Sequence, residues 1–344
     1  MNLEEVNLKS NYQKNEVKRF LERFDLRFDE NIDYTIVIRE NEEIVATASK
    51  SKDIIKCFAV DESMQGFGIT NTLVTNILNR IFGEGNFHAF LFTKPKNLNI
   101  FENVGFSLVA KTEKVALLEI GTQNIKKTID EIIKDNNIDI SKKRAMVVMN
   151  ANPFTLGHRY LLQRASSENE EVLVFVVEED KSCFPFKDRL ELVKNGAKDL
   201  KNVKVIKGTN YIISSATFPN YFLRKEDDFL AEYIKLDVTI TATQFCKKLN
   251  INRRYVGSEP YCKVTNKYNE IMKEILEKYG VEFIMIERKS DENGAISASK
   301  VREFIKSENF DEMDKLLPES TIEFLKTDEG KKICEKIKII NSVH

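Results

Sequence analysis

The second half of this chain alternates short apolar runs with helical stretches. The apolar runs occupy residues 145–149, 172–177, 203–206, 254–257 and 281–286. Strands separated by helices in this way form a parallel sheet with helices packed on its faces. Ligands of such open sheets bind at the carboxyl ends of the strands. The pattern therefore predicts an α/β domain whose functional residues follow its strands.

The first half has a different pattern. Residues 34–38, 44–48 and 54–60 are predicted as strands, and the polar turn at 39–43 makes the first two antiparallel. An amphipathic helix and a further strand at 87–92 follow. We expect a mixed sheet here.

A polar, Lys-rich segment separates the two patterns. We therefore predict a mixed-sheet domain over residues 1–121, a linker over 122–142 and a parallel-sheet domain over 143–344. A chain of 344 residues is long enough for two domains that each bury a core.

Charge and cysteine content narrow the class of protein. The 53 Lys and Arg residues nearly cancel the 54 Asp and Glu residues, which gives no general attraction to nucleic acid or membrane surfaces. Five scattered cysteines without C-x-x-C spacing argue against a disulfide framework and a zinc site. No signal peptide or membrane-spanning run is visible. We expect a soluble protein of the reducing cytoplasm that binds neither nucleic acid nor membrane.

A glycine-rich segment opens the amphipathic helix of the first half. It consists of Gln65, Gly66, Phe67, Gly68 and Ile69. Glycines let a backbone approach a pyrophosphate closely, and the helix dipole favours its charge. Glycines that only shape a turn before an ordinary helix explain the same residues equally well.

Two motifs of the first half together resemble the GNAT acetyltransferase family. The family's Q/R-x-x-G-x-G/A loop is matched at Gly66 and Gly68, and residues 101–106 (FENVGF) resemble its later F-Y-x-x-x-G-F segment. Ser63 stands where the family usually has Gln or Arg. The resemblance implies a GNAT-like fold in which residues 65–69 hold a CoA-like pyrophosphate. It implies this pyrophosphate site more firmly than it implies acetyl transfer to an amine.

A second motif follows the strand at 145–149. Residues 150–158 (NANPFTLGH) lie at the carboxyl end of a predicted parallel strand, just before a helix. Gly157 can let the backbone approach a phosphate, and His158 can donate to phosphate oxygens as charge builds at phosphorus. A histidine that merely caps a helix is the alternative. The segment resembles the T/H-x-G-H signature of the adenylyl-transferring nucleotidyltransferase superfamily, with Thr155 first and His158 last.

A third motif supports the same resemblance. Residues 296–302 (ISASKVR) match the superfamily's I-S-x-T/S-x-x-R segment, which closes over the triphosphate. Ser297 and Ser299 can cap the helix that begins there, and the forked guanidinium of Arg302 can bind phosphates or the leaving pyrophosphate. Serines that only cap a basic helix are the alternative. The resemblance implies a Rossmann-like domain that binds ATP.

Two further segments resemble the superfamily. Residues 184–193 resemble the opening of its second helix, where Lys187 and Arg189 would face the nucleotide, although solvated helix charges are an equal alternative. Residues 257–259 lie at another strand end, where members contact the nucleotide. The resemblance implies catalytic roles for His158, Arg302 and Lys187. It implies an ATP site formed by Asn152, Pro153, Phe154, Thr155, Gly157, His158, Arg189, Gly257, Ser258, Glu259, Ser297, Ser299 and Arg302.

Most of the chain resembles the citrate lyase ligase family, which places a GNAT-like domain before a nucleotidyltransferase domain. The resemblance rests on residues 152–158, 211–219, 256–265 and 296–302, although Ser215 stands where the family has Arg. It implies that ATP and Mg²⁺ activate acetate as acetyl-adenylate. The acetyl group then passes to the thiol of the CoA-derived prosthetic group on the citrate lyase acyl-carrier subunit.

Two other functions remain open from the sequence. An adenylyltransferase of the pantetheine-phosphate or nicotinamide-mononucleotide type would share the second-half motifs but would require a phosphorylated acceptor. An acetyltransferase with a nucleotide-sensing domain would use acetyl-CoA as donor and consume no ATP.

Overall fold

The structure is a computed structural model that describes residues 2–29, 31–64, 66–178, 182–214, 226–258, 263–291 and 294–339. Internal contacts divide the chain into two compact units. Unit 1 comprises Met1–Thr128 with Ser215–Ile240, and unit 2 comprises Ile129–Ser214 with Thr241–His344. No helix in the described ranges is long and apolar enough to cross a membrane.

Unit 1 is built on a seven-stranded mixed sheet with the order β1-β2-β3-β4-β5-β7-β6. Its strands are β1 (Asn2–Glu5), β2 (Tyr34–Glu40), β3 (Glu43–Ser51), β4 (Ile54–Val60), β5 (His88–Thr93), β6 (Ser107–Lys111) and β7 (Ala116–Gly121). Its helices are α1 (Asn11–Glu22), α2 (Ile69–Gly83), α3 (Leu98–Glu102), the first turn of α4 (Ile125–Asp135), whose remainder belongs to unit 2, and α7 (Glu226–Ile240). Neighbouring strands are antiparallel except β4 and β5, which are parallel. The mixed sheet expected from the sequence is confirmed.

The apolar face of α2 explains how unit 1 closes its core. Ile69, Leu73, Ile77 and Ile81 recur every four residues, so they share one side of the helix. All four side chains are buried in a cluster with residues of the sheet. The connection from β4 through α2 to β5 crosses over the sheet, as a parallel strand pair requires.

Three elements before the parallel sheet depart from the sequence-based expectation. Strand β1 and helix α1 lie in a segment whose alternating charge gave no signal, yet α1 buries Val17, Phe20 and Leu21. Helix α4 occupies the expected linker and buries isoleucines along one side. The sequence-based domain limits, with a linker over residues 122–142 between two separable domains, remain a prediction.

Helix α7 belongs to unit 1 although it follows β10 of unit 2 in the chain. It packs against β6. Thr112 Oγ1 donates to Glu232 Oε2 over 2.8 Å, and the Glu232 side chain is buried. The chain therefore leaves unit 2 and returns to it, rather than passing once from one unit to the other.

Unit 2 contains the parallel sheet that the alternating pattern predicted. The strand order is β10-β9-β8-β11-β12, and every neighbouring pair is parallel. Its strands are β8 (Arg144–Met149), β9 (Val172–Val176), β10 (Val203–Lys207), β11 (Ile251–Gly257), β12 (Glu282–Ile286) and the short hairpin β13 (Ser290–Asp291) and β14 (Gly294–Ala295). Its helices are α5 (Leu156–Glu168), α6 (Phe186–Gly196), α8 (Lys263–Lys278), α9 (Ala298–Lys306), α10 (Phe310–Asp314), α11 (Glu319–Lys326) and α12 (Asp328–Ile339).

Strand β8 occupies the middle of this sheet. Its side chains are nearly all buried because helices pack on both faces of a parallel sheet. The loops that follow β8, β9, β11 and β12 consequently emerge at one edge, and these loops carry the predicted site residues.

Candidate active site

Buried side chains hold the loop after β8 in place. Residues 152–155 are all buried, and the Asn152–Pro153 peptide is cis. Phe154 packs against Gly196, where an added Cβ would overlap its ring, and its carbonyl accepts from Thr321 Oγ1 at 3.0 Å. Asn152 Oδ1 accepts from the Phe184 amide at 3.0 Å. The side chains of this loop fill the interior beneath it.

Thr155 and His158 hold each other at the start of α5. Thr155 is the N-cap, and its hydroxyl accepts from the His158 amide at 3.4 Å. The Thr155 amide donates to His158 Nδ1 at 3.1 Å, and Thr155 Oγ1 lies 2.9 Å from the same nitrogen. This reciprocal arrangement is a capping box in which histidine replaces the usual Glu or Gln. The capping alternative raised from the sequence is therefore correct for the Nδ1 side of His158.

The tautomer of His158 follows from this contact. A backbone N–H can only donate, so Nδ1 accepts and the neutral ring carries its proton on Nε2. Burial, together with the positive charge of Arg288, lowers the pKa of His158 to about 4. The ring also stacks on Phe154, with centroids 5.7 Å apart and planes inclined by 19°. At neutral pH the half-buried His158 is thus an oriented, uncharged donor.

Gly157 brings two distant motifs together. A Cβ added there would lie 2.9 Å from the carbonyl oxygen of Ile296 and 3.6 Å from its Cγ2. The start of α5 therefore packs directly against the segment that leads into α9. The sequence predicted that Gly157 makes room for a phosphate, but the space beside its Cα is occupied by protein backbone.

Helix α9 places Arg302 beside the same loop. Ser297 is the N-cap of α9 and accepts from the Lys300 amide at 3.2 Å, as predicted. Ser299 lies inside the helix rather than at its cap, and its hydroxyl accepts from Arg302 Nη2 at 3.3 Å. Arg302 Nη1 donates to the Asn152 carbonyl at 2.6 Å. Burial lowers the pKa of Arg302, whose guanidinium nevertheless stays charged at neutral pH.

Lys187 and Arg189 occupy different environments on α6. Lys187 is exposed on the first turn. The Arg189 side chain is 0% exposed, and it donates to the carbonyls of Phe184, Asn150 and Val177 at 3.0, 2.9 and 2.7 Å. We predicted that Arg189 faces a nucleotide, but its side chain is buried. It hydrogen-bonds the loops after β8 and β9 to each other.

The loops after β11 and β12 supply a residue that the motifs did not reveal. Ser258 follows Gly257, and its carbonyl accepts from Arg288 Nε at 2.7 Å. Arg288 is close enough to His158 for its charge to act on the ring. Glu259, also predicted here, lies outside the described residues. No motif marks Arg288, so only its position after a parallel strand could have suggested it.

The glycine-rich segment of unit 1 lies at the carboxyl end of β4. Gly66 and Gly68 have φ values of +88° and +72°, which glycine adopts at little cost. Phe67 between them is 67% exposed, whereas Ile69 is buried and can offer a ligand only its backbone. β4 and β5 pair at Ile54–Phe90 and at the next position. Gln65 and Ser215 lie outside the described residues.

Comparisons with known proteins identify the family. A family model described as the citrate lyase ligase C-terminal domain matches residues 144–325. The [citrate [pro-3S]-lyase] ligase of Klebsiella pneumoniae is 32% identical over 323 residues, covering 92% of this chain and 94% of the relative. The chain belongs to the citrate lyase ligase family.

A second family member extends the comparison. The [citrate [pro-3S]-lyase] ligase of Escherichia coli K12 is 34% identical over 326 residues, covering 93% of this chain and 92% of its own. Among solved structures, a GNAT-family acetyltransferase from Staphylococcus aureus Mu50 has a TM-score of 0.30 and 14% identity, covering 36% of this chain and all of that one. In this citrate lyase ligase family member, the contact between Gly157 and Ile296 lies inside the matched domain.

Proposed function

We propose that this protein is an AMP-forming acid–thiol ligase that joins acetate to the citrate lyase acyl carrier. ATP activates acetate as acetyl-AMP, and the acetyl group passes to the thiol of the carrier's CoA-derived prosthetic group. The observation that carries the proposal is the similarity to named citrate lyase ligases over more than nine-tenths of the chain. The junction of the two phosphate-binding motifs at Gly157 and Ile296 supports it.

In the first step an acetate oxygen attacks the α-phosphorus of ATP and pyrophosphate leaves. His158 donates a hydrogen bond from its Nε2–H to a phosphate oxygen, because Nδ1 already accepts from the Thr155 amide. Arg302 supplies positive charge from helix α9, where its guanidinium also contacts this loop. Asn152, Phe154 and Arg189 act through position, since their buried side chains hold that loop.

The remaining predicted residues complete the ATP site in this proposal. Lys187 is a further catalytic cation, because its exposed position on the first turn of α6 leaves it accessible to phosphates. Ser297 and Ser299 shape the start of α9 and the orientation of Arg302. Gly257 and Ser258 form the loop that approaches from β11.

Magnesium fits this site as a companion of ATP. Within the described residues, no cluster of three or more His, Cys, Asp or Glu side chains could hold a metal ion. Mg²⁺ usually keeps several waters and binds substrate phosphates with only one or two carboxylates. In this proposal Mg²⁺ would bind together with ATP and supply positive charge at the phosphates, beside His158 and Arg302.

In the second step the carrier thiol attacks the acetyl carbonyl and AMP leaves. We propose that the carrier's prosthetic arm binds to the segment of unit 1 around Gly66 and Gly68. The backbone amides at the start of α2 can donate to its phosphates. In this proposal the segment holds the thiol acceptor, whereas in an acetyltransferase it would hold the acetyl donor. In this proposal the reaction takes place in the cytoplasm.

Acetate-dependent exchange of labelled pyrophosphate into ATP tests the first step, and acetylation of deacetylated citrate lyase tests the second. We expect both activities in the purified protein. Exchange that required a phosphorylated acceptor instead of acetate would assign an adenylyltransferase. Acetylation from acetyl-CoA without ATP would assign an acetyltransferase, and either outcome refutes the proposal.

A further inference from the structure

Arg288 is held in place by the loop that follows a different strand. Ser258 follows β11 and Arg288 follows β12. The Arg288 amide donates to Ser258 Oγ at 3.2 Å, and Arg288 Nε donates to the Ser258 carbonyl at 2.7 Å. The Ser258 amide in turn donates to the Ile286 carbonyl at 2.8 Å. These three hydrogen bonds fix both the backbone and the side-chain direction of Arg288.

The chain after Arg288 leads straight back to the helix that carries His158. The Ile296 amide donates to the Lys289 carbonyl at 2.9 Å, which closes the small hairpin of β13 and β14. The Ile296 carbonyl then faces Gly157. Arg288 therefore directly precedes a segment that is closed by Lys289 and Ile296, and Ile296 packs on the start of α5.

Two arginines thus approach the His158 loop from separate elements. Arg302 comes from α9 and reaches the Asn152 carbonyl, whereas Arg288 comes from the edge strand β12. The charge of Arg288 lowers the pKa of His158. Holding a half-buried cation near a neutral histidine is favourable when an anion binds between them, because the anion offsets its desolvation.

We propose that Arg288 binds a phosphate group of the nucleotide at the same site as His158 and Arg302. This inference rests on the proposed function, in which the nucleotide phosphates bind at His158. The guanidinium supplies a second forked cation, and Ser258 is the residue that orients it. A lysine could supply the charge but neither the fork nor the Nε donor that Ser258 accepts.

The test compares Arg288→Gln and Arg288→Lys with Arg253→Gln. Arg253 is the matched control because it pairs with Glu282 at 2.9 Å on the surface of the same two strands. For Arg288→Gln we expect the KM for ATP in acetate-dependent exchange to rise about 10- to 100-fold, the range of one charge-assisted hydrogen bond. Arg288→Lys should retain part of the affinity, and the control should match wild type.

A second measurement uses pyrophosphate alone as the probe, so it does not depend on acetate chemistry. Calorimetry should show weaker pyrophosphate binding by Arg288→Gln. In parallel, NMR of ¹⁵N-histidine should show a higher pKa for His158 in Arg288→Gln but not in Arg288→Lys. The chain has three histidines, so a His158→Gln sample assigns the signal.

The outcomes separate the two proposals. Wild-type protein that binds pyrophosphate through Arg288 but lacks exchange refutes the proposed function and keeps the phosphate site. A KM and a pyrophosphate affinity within twofold of wild type in folded Arg288→Gln overturn the role of Arg288. If Arg288→Gln does not fold, an unchanged KM and pyrophosphate affinity in Arg288→Lys overturn it instead.

Discussion

The substitution Gly157→Ala isolates the contact between the start of α5 and the segment that leads into α9. It adds one methyl group at the second residue of α5 and changes no polar group. The new Cβ would lie 2.9 Å from the Ile296 carbonyl oxygen, whereas ordinary contacts begin near 3.4 Å. The Ile296 segment must therefore move by about 0.5 Å, because a backbone carbonyl cannot rotate away as a flexible side chain does.

The expected loss is larger for activity than for stability. Overpacking costs about 1–3 kcal/mol, and replacing glycine in a helix returns up to about 1 kcal/mol, which leaves a net cost of about 0–2 kcal/mol. A misplacement of 1 Å can cost about 100-fold in rate, so a shift of half that size predicts a loss of about tenfold. The displaced element carries Arg302, which is why the rate of adenylation should fall.

The assay is acetate-dependent pyrophosphate exchange, measured beside the melting temperature. Gly83→Ala is the matched control, since an added Cβ at this position of α2 meets no atom within 4 Å. It should keep full activity. We expect Gly157→Ala to lose about tenfold in exchange while its melting temperature falls by no more than about 8 °C. Unchanged exchange in a folded Gly157→Ala protein would refute the argument that this close approach positions the site.

Three further predictions concern individual groups. His158→Gln should lower exchange by at least about 100-fold, as loss of an oriented donor does, and circular dichroism should show an intact fold. The same variant should remove part of the pH dependence of unfolding, because the pKa of His158 is about 4 in the folded protein against its ordinary value of 6.5, so stability falls as pH drops through this interval. Identical pH dependence of the two proteins in urea titrations would contradict this prediction. Changing Gly66 and Gly68 to Val should slow carrier acetylation while sparing exchange, since positive φ values are costly for β-branched residues; equal loss of both activities would argue against a separate acceptor site.

The order of strands and helices in unit 2 could be predicted largely because β8, β9 and β12 are mainly apolar runs. The expected run at 203–206 corresponds to β10 and that at 281–286 to β12, each within one residue at its ends. In contrast, α1 was missed because it has only three buried residues, all in its second half, among charged and polar ones. Helix α7 was beyond sequence reasoning, since its partner β6 lies more than a hundred residues earlier.

The site could be predicted only as far as its motifs extend. Thr155, His158 and Ser297 have local roles that follow from helix capping, and these are visible in the sequence. The burial of Arg189 depends on carbonyls supplied by three separate residues, so a charged residue on an amphipathic helix gave no sign of it. The position of Arg288 depends on Ser258, thirty residues away.

The route of α7 has a consequence for synthesis on the ribosome. Strands β1 to β7 emerge well before Glu226–Ile240, and three strands of unit 2 are made in between. Until α7 arrives, β6 is a sheet edge without this covering helix, and Thr112 lacks its partner Glu232. Nascent sheets with open edges pair readily with other chains. Unit 1 therefore cannot finish folding until part of unit 2 has been translated, and a chain cut after its last strand would lack the helix that completes it.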